Sequence, residues 1–206
     1  MTDSQQPDVA KNIIIEIGED GRFKAYALSV VEDLWHDFLF FEQQALNTST
    51  DDRPLLHKRF LRAALLCLFA YLEGVTHQWC YELTIREGGS NTKARARAGA
   101  KIEARCKDLT HVAAGLTATT IEFEFTRANY LRNKIVHEVG GEHDVELFSE
   151  LTLEALQTLK SDMVRWLEWV GPAIGQKPHP DTDRALDWLA TLGDSVQDEH
   201  SSDGLA

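Results

Sequence analysis

Apolar residues recur at helical intervals through most of this chain. From the end of a short β-branched stretch to about Asn47 they fall at Leu28, Val31, Leu34, Trp35, Phe38 and Phe41, which predicts a first helix. Residues 48–54 form a polar break. A second helix is expected from Pro54, a favourable first-turn residue, to about Leu83. Its centre, AALLCLFAYL, is apolar on nearly every side, so it should be the most buried helix. GGSN ends it, and TKARARAGAKIEARCK opens a third helix rich in strong helix formers. After a loop around HVAAGLTATT, a fourth helix is expected over roughly 121–139, stopped by Gly140-Gly141. A fifth, over roughly 145–170, carries Leu147, Leu151, Leu156, Leu159, Met163, Trp166, Leu167 and Val170, with Gly171-Pro172 as its stop. KPHPD then reads as a rigid connector to a short helix near 183–192.

Ahead of the helices, NIIIEIGEDGRF fits a short β-hairpin, because Asp20-Gly21 follows a β-branched run. Residues 1–11 read as disordered. So does the stretch 193–206, which from Asp194 onward has four acids and no Lys or Arg. The expectation is an all-α bundle of about five main helices in a single domain over 12–192. With 206 residues, 43% hydrophobic and 26% charged, the chain can bury one sizeable core and does not demand a second.

The polar opening MTDSQQPD is unlike a secretory leader, and the longest apolar run is too short to span a bilayer. Three cysteines without C-x-x-C spacing argue against a disulfide framework or a cysteine-rich metal site. A reduced, cytoplasmic protein with no membrane partner and no cofactor is the reading.

Charge changes that picture in one respect. The net charge of −12 argues against a polyanionic partner, but its distribution does not. Residues 53–134 hold 14 Lys+Arg against 7 Asp+Glu, a local +7, while the rest holds 7 against 26, a net −19. A basic middle between acidic ends suggests an anion-binding face. Its densest run is Lys93, Arg95, Arg97, Lys101, Arg105 and Lys107. That run reads either as a solvated helix or, preferred here with Arg127 and Lys134, as an RNA backbone contact.

The fourth helix holds the candidate chemistry. At about 100° per residue, Ala128, Leu131, Ile135 and Val139 share one arc, with Phe125 and Val136 at its edge. Arg132 falls inside that arc, where a guanidinium is costly unless it finds acceptors. Asn129, Asn133 and His137 form a polar stripe beside it. Glu73, the one acid in the apolar part of the second helix, is the expected partner of Arg132, directly or through Asn133. His137 sits in the last turn, where the helix dipole favours the imidazolium and poises the ring near neutral pH.

LRNKIVHEVGG resembles the HEPN superfamily, whose R-x4-H signature is matched by RNKIVH in the form where Asn follows Arg. The resemblance covers roughly 22–170 and includes the acid-bearing AYLEGV of the second helix. It implies an α-helical bundle that dimerises so that two motifs meet in one cleft. It also implies a metal-independent endoribonuclease, as in toxin–antitoxin pairs or phage defence, with RNA as substrate and an antitoxin protein as a further partner. Arg132 and His137 would be catalytic, with Asn133 beside them and Glu73 and Asn129 in support. The histidine would assist attack of a ribose 2′-OH on the adjacent phosphate, leaving a cyclic phosphate end. One position departs from the pattern. Toxins silenced by nucleotidylation carry a tyrosine two residues after the histidine, and this chain has Val139 there. Other HEPN domains are non-catalytic modules that bind RNA, a nucleotide or a protein, and that is the alternative reading.

Other motifs fall away. HEVGG starts like H-E-x-x-H, but position 141 is Gly, so a metal would need His137, Glu142 and His143 brought together by the loop. No phosphate-binding glycine motif is present. Trp166 and Trp169 are expected in the core or an interface rather than as a base-stacking platform.

Overall fold

A computed structural model describes residues 12–17, 23–28, 30–121, 123, 125–137 and 150–176. Two strands, β1 (Asn12–Ile17) and β2 (Phe23–Leu28), pair antiparallel, with Asn12 opposite Leu28 and Ile17 opposite Phe23. Six described helices follow: α1 (Val30–Asn47), α2 (Pro54–Arg86), α3 (Asn91–Ala98), α4 (Ile102–Thr117), α5 (Phe125–His137) and α6 (Leu153–Ala173). The protein is an all-α bundle preceded by a hairpin. Leu28, counted above with the first helix, belongs to β2, and α1 begins two residues later.

The central helix is α2, as its all-round apolarity predicts. Leu61, Ala64, Leu65, Tyr71 and Cys80 along it are fully enclosed. Against one side lies α1, whose Trp35 ring centroid is 5.2 Å from Phe38 and 5.1 Å from Tyr71 of α2. Gly74 permits this approach, since a Cβ there would lie 2.8 Å from Val31 Cγ2. By length and composition α2 could cross a membrane, with a mean hydropathy of 1.3 over its most apolar window. That window is 50% buried inside the bundle, which is compatible with a soluble protein.

The expected third helix is two helices. Ser90 caps α3 by accepting from the Lys93 backbone N–H, and the helix ends at Gly99. The break persists because Arg105 of α4 reaches back to it. Its Nη1 donates to the carbonyls of Ala98 at 2.8 Å and Ala100 at 2.6 Å. Those carbonyls would otherwise be orphaned at a helix end.

Residues 111–117, expected as part of a loop, continue α4, which stops at Ala118 in the left-handed region with φ 55°. The exposed Gly115 weakens a helix there but does not break it. Helix α5 begins at Phe125, later than expected, and its expected end at 138–139 and the Gly140-Gly141 stop lie outside the described residues.

Thr152 caps α6 by accepting from Ala155 N at 3.1 Å. This helix runs through Gly171-Pro172 rather than stopping there. Proline forgoes only its own N–H, while Ile174 N still donates to Val170 O and Gln176 N to Gly171 O. The turn comes at Gly175, φ +69°. The expected helix near 183–192 and both terminal tails lie outside the described residues.

Candidate functional site

Helix α5 is held to the core by Phe125, Ala128 and Leu131, all buried, with Ile135 half-buried beyond them. Phe125 meets Phe69 of α2 at a ring separation of 5.8 Å and Phe123 at 6.1 Å. This apolar edge fixes the rotation of α5 and therefore the placement of its polar residues.

Arg132 is half-buried, as its place among apolar neighbours predicts. Its Nη1 donates to the Asn133 carboxamide oxygen at 2.9 Å. Among the described residues no carboxylate forms an ion pair with it. Asn129 and Asn133 are half-buried too, while Thr126 and Tyr130 are exposed. Position 137 is the last residue of α5, one turn past Asn133 on the same stripe. Five residues turn a helix by about 140° net, so positions 132 and 137 lie on different faces of α5. The side chains of His137, Arg127 and Lys134 lie outside the described residues.

Glu73 does not play the part expected of it. It is exposed and makes no ion pair among the described residues; only its backbone carbonyl takes part, accepting from Thr76 Oγ1 and Arg105 Nη2. The physical reason is that α2 is not covered all round. One stripe of this 33-residue helix stays in solvent, and Glu73 lies on it.

The buried acid is instead Glu42 of α1, whose carboxylate accepts from Lys160 Nζ of α6 at 2.6 and 2.8 Å. That ammonium also sits 5.5 Å from the Phe38 ring. The deeply buried arginine is Arg105, 7% exposed, satisfied by two carbonyls, Thr76 Oγ1 at 3.2 Å and the Glu73 carbonyl at 3.4 Å. Its sequence signal was present. Arg105 lines up with Leu109 and Ala113 at i+4 and i+8, both fully buried, the same test that singled out Arg132.

The basic run divides. Lys93, Arg95, Lys101 and Lys107 are exposed. Arg97 is bound internally, through Nε to Asp108 at 2.7 Å and through Nη1 to Glu87 at 3.0 Å. Two carboxylates neutralise it, so it is not a free phosphate contact. Trp166 is fully enclosed and donates to Thr110 Oγ1 at 2.9 Å, and Trp169 donates to Thr117 Oγ1 at 3.2 Å, which places both in the packing.

An open groove of about 540 Å³ lies between the end of α1, the start of α2 and the start of α6. His57 there donates from Nδ1 to the carbonyls of Ala45 and Thr48, and Lys58 Nζ donates to the Leu151 carbonyl at 3.0 Å. Burial lowers the Lys58 pKa from its ordinary value. These bonds join the helix ends to one another. Among the described residues no group of three or more His, Cys, Asp or Glu could hold a metal ion.

No family model, no curated protein and no solved structure matches this chain.

Proposed function

We propose that the protein is a HEPN-type endoribonuclease that needs no metal and works at a site shared by two copies, as a cytoplasmic toxin or phage-defence effector. The observation that carries this reading is the half-buried Arg132, bound to the neutral Asn133 oxygen on a helix that ends at His137. Among the described residues no carboxylate pairs with it, and a guanidinium bound only to a neutral amide keeps its full charge for a phosphate. In the reaction, a ribose 2′-oxygen attacks the adjacent phosphorus and the bond to the 5′-oxygen breaks. His137 takes the hydroxyl proton and returns one to the leaving oxygen, and Arg132 stabilises the charge that builds on the phosphate. Positions 132 and 137 face apart on one helix, which suits a site completed by a second copy.

The test is cleavage of single-stranded RNA in the presence of EDTA, with the matching DNA left intact because it lacks the 2′-OH. His137→Ala should abolish cutting with little change in RNA affinity. Wild-type protein that binds RNA but never cuts varied substrates would favour the non-catalytic binding module instead. Cutting that survives loss of His137 would reject the residue assignment.

A further inference from the structure

The solvent-facing stripe of α2 has an internal symmetry. Leu66, 37% exposed, sits at its centre. Arg59 and Glu73 each lie seven residues from it, and Leu55 and His77 each lie eleven. All four are exposed, Leu55 at 75%. The half-buried Arg62 and Ala70 fill the positions four residues to either side. Offsets of four, seven and eleven keep all seven residues on one helix face.

The two charges cannot satisfy each other within one chain. Fourteen residues of helix separate Arg59 from Glu73 by about 21 Å. Neither side chain has an ion pair among the described residues. Turned about a two-fold axis at Leu66, however, a second α2 would bring its Glu73 opposite Arg59 and its Arg59 opposite Glu73.

We infer that two copies of this chain meet through α2, antiparallel, with Leu66 against Leu66 and two Arg59–Glu73 pairs flanking it. An isologous contact needs a surface complementary to itself, and this stripe meets that condition in charge and in apolar content. A parallel arrangement would set Arg59 against Arg59 and Glu73 against Glu73, which like-charge repulsion opposes. Ala70 lies opposite Arg62, so a small residue leaves room for the long one. Glu73, on the stripe of α2 that its own subunit leaves uncovered, gains a partner through this contact. The inference rests on the two-copy reading above for its functional consequence, while the charge pattern stands apart from it.

The experiment measures mass in solution by light scattering and sedimentation at micromolar concentration, with circular dichroism to confirm folding. Wild type should be a dimer. Arg59→Glu and Glu73→Arg should each weaken self-association by about tenfold or more, because each turns two attractive pairs into two repulsive ones. An equimolar mixture of the two variants should restore the dimer, since each supplies the charge the other lacks. Leu66→Glu, which sets two carboxylates on the axis, should be monomeric. A monomeric wild type, single variants that dimerise like wild type, or a mixture no better than its components would each overturn the inference. A dimer that survives every variant removes this surface and leaves the ribonuclease reading standing. Variants that behave as expected in a protein that never cuts RNA do the reverse.

Discussion

The guanidinium of Arg132 is tethered to its own neighbour, with Nη1 2.9 Å from the carboxamide oxygen of Asn133. Adjacent residues on a helix do not normally face each other, so this contact requires the arginine to bend along the surface of α5. If Asn133 sets the guanidinium in place, Asn133→Ala should slow single-turnover RNA cleavage by about 10- to 100-fold while leaving affinity nearly unchanged. Asn133→Asp should weaken RNA binding as well, by placing a carboxylate on the cation. An Asn133→Ala protein cutting at the wild-type rate would show that the amide has no positioning role.

Glu42 and Lys160 join α1 to α6 across 118 residues of sequence. The carboxylate side chain is 7% exposed and the lysine 28%. Lys160→Met should leave a buried anion without its cation and cost about 3 kcal/mol in urea unfolding. The double variant Glu42→Gln with Lys160→Met should recover most of that loss. A loss in the double variant equal to the sum of the losses in Glu42→Gln and Lys160→Met would mean that the pair is not coupled.

Arg105 holds the α3–α4 break closed. Arg105→Ala would strand the Ala98 and Ala100 carbonyls and should cost about 2–4 kcal/mol. Arg105→Lys should be nearly as harmful, because a single ammonium cannot span four acceptors. Hydrogen exchange should show α3 opening before the rest of the bundle in both. Uniform protection across α2 and α3 in the alanine variant would reject the clamp.

Lys93 and Arg95 are exposed and Arg97 is not free, so the three should behave differently toward RNA. Neutralising Lys93 and Arg95 should weaken binding and lower the magnitude of the salt slope by about one for each phosphate that is no longer neutralised. Arg97→Ala should leave that slope alone and instead cost about 1 kcal/mol of stability. The same change in slope for all three would mean that the internal pairs open in the complex.

The buried thiols set an alkaline limit. Burial pushes Cys80 up to about 11 and Cys106 up to about 12, and raises the half-buried Cys67 as well. Unfolded cysteines ionise nearer 9. Below that pH both states hold their thiol protons. As pH rises from 9 toward 11–12 the unfolded chain releases protons that the native chain keeps, so stability should fall across this window. Unfolding at stepped pH would measure it. Thiol reagents at pH near 8 should label Cys67 well before the other two, and equal rates would contradict the burial.

Much of this protein was legible in its periodicity. The apolar spacing predicted the helices, the central rank of α2, the packing of Trp166 and the half-burial of Arg132, because each depends on the helical repeat alone. Helix ends were less legible. The division of α3 from α4 depends on Arg105 reaching back to carbonyls that precede it, and the passage of α6 through Pro172 depends on hydrogen bonds made beyond it. Neither is a property of the local residue types.

The partners of charged side chains lay furthest from reach. One sequence rule, that an acid within an apolar helix must be buried, placed Glu73 inside and overlooked Glu42. Which face of a long helix is left uncovered depends on how many neighbours pack around it. The same uncertainty put Arg97 and Arg105 among the free cations, although one meets Asp108 and Glu87 and the other meets backbone carbonyls. The sequence by itself determined which residues want to leave water, through hydrophobic spacing summed along each helix. Only the tertiary structure decided which charges meet, because those contacts join residues far apart in the chain and depend on helix rotations set by packing.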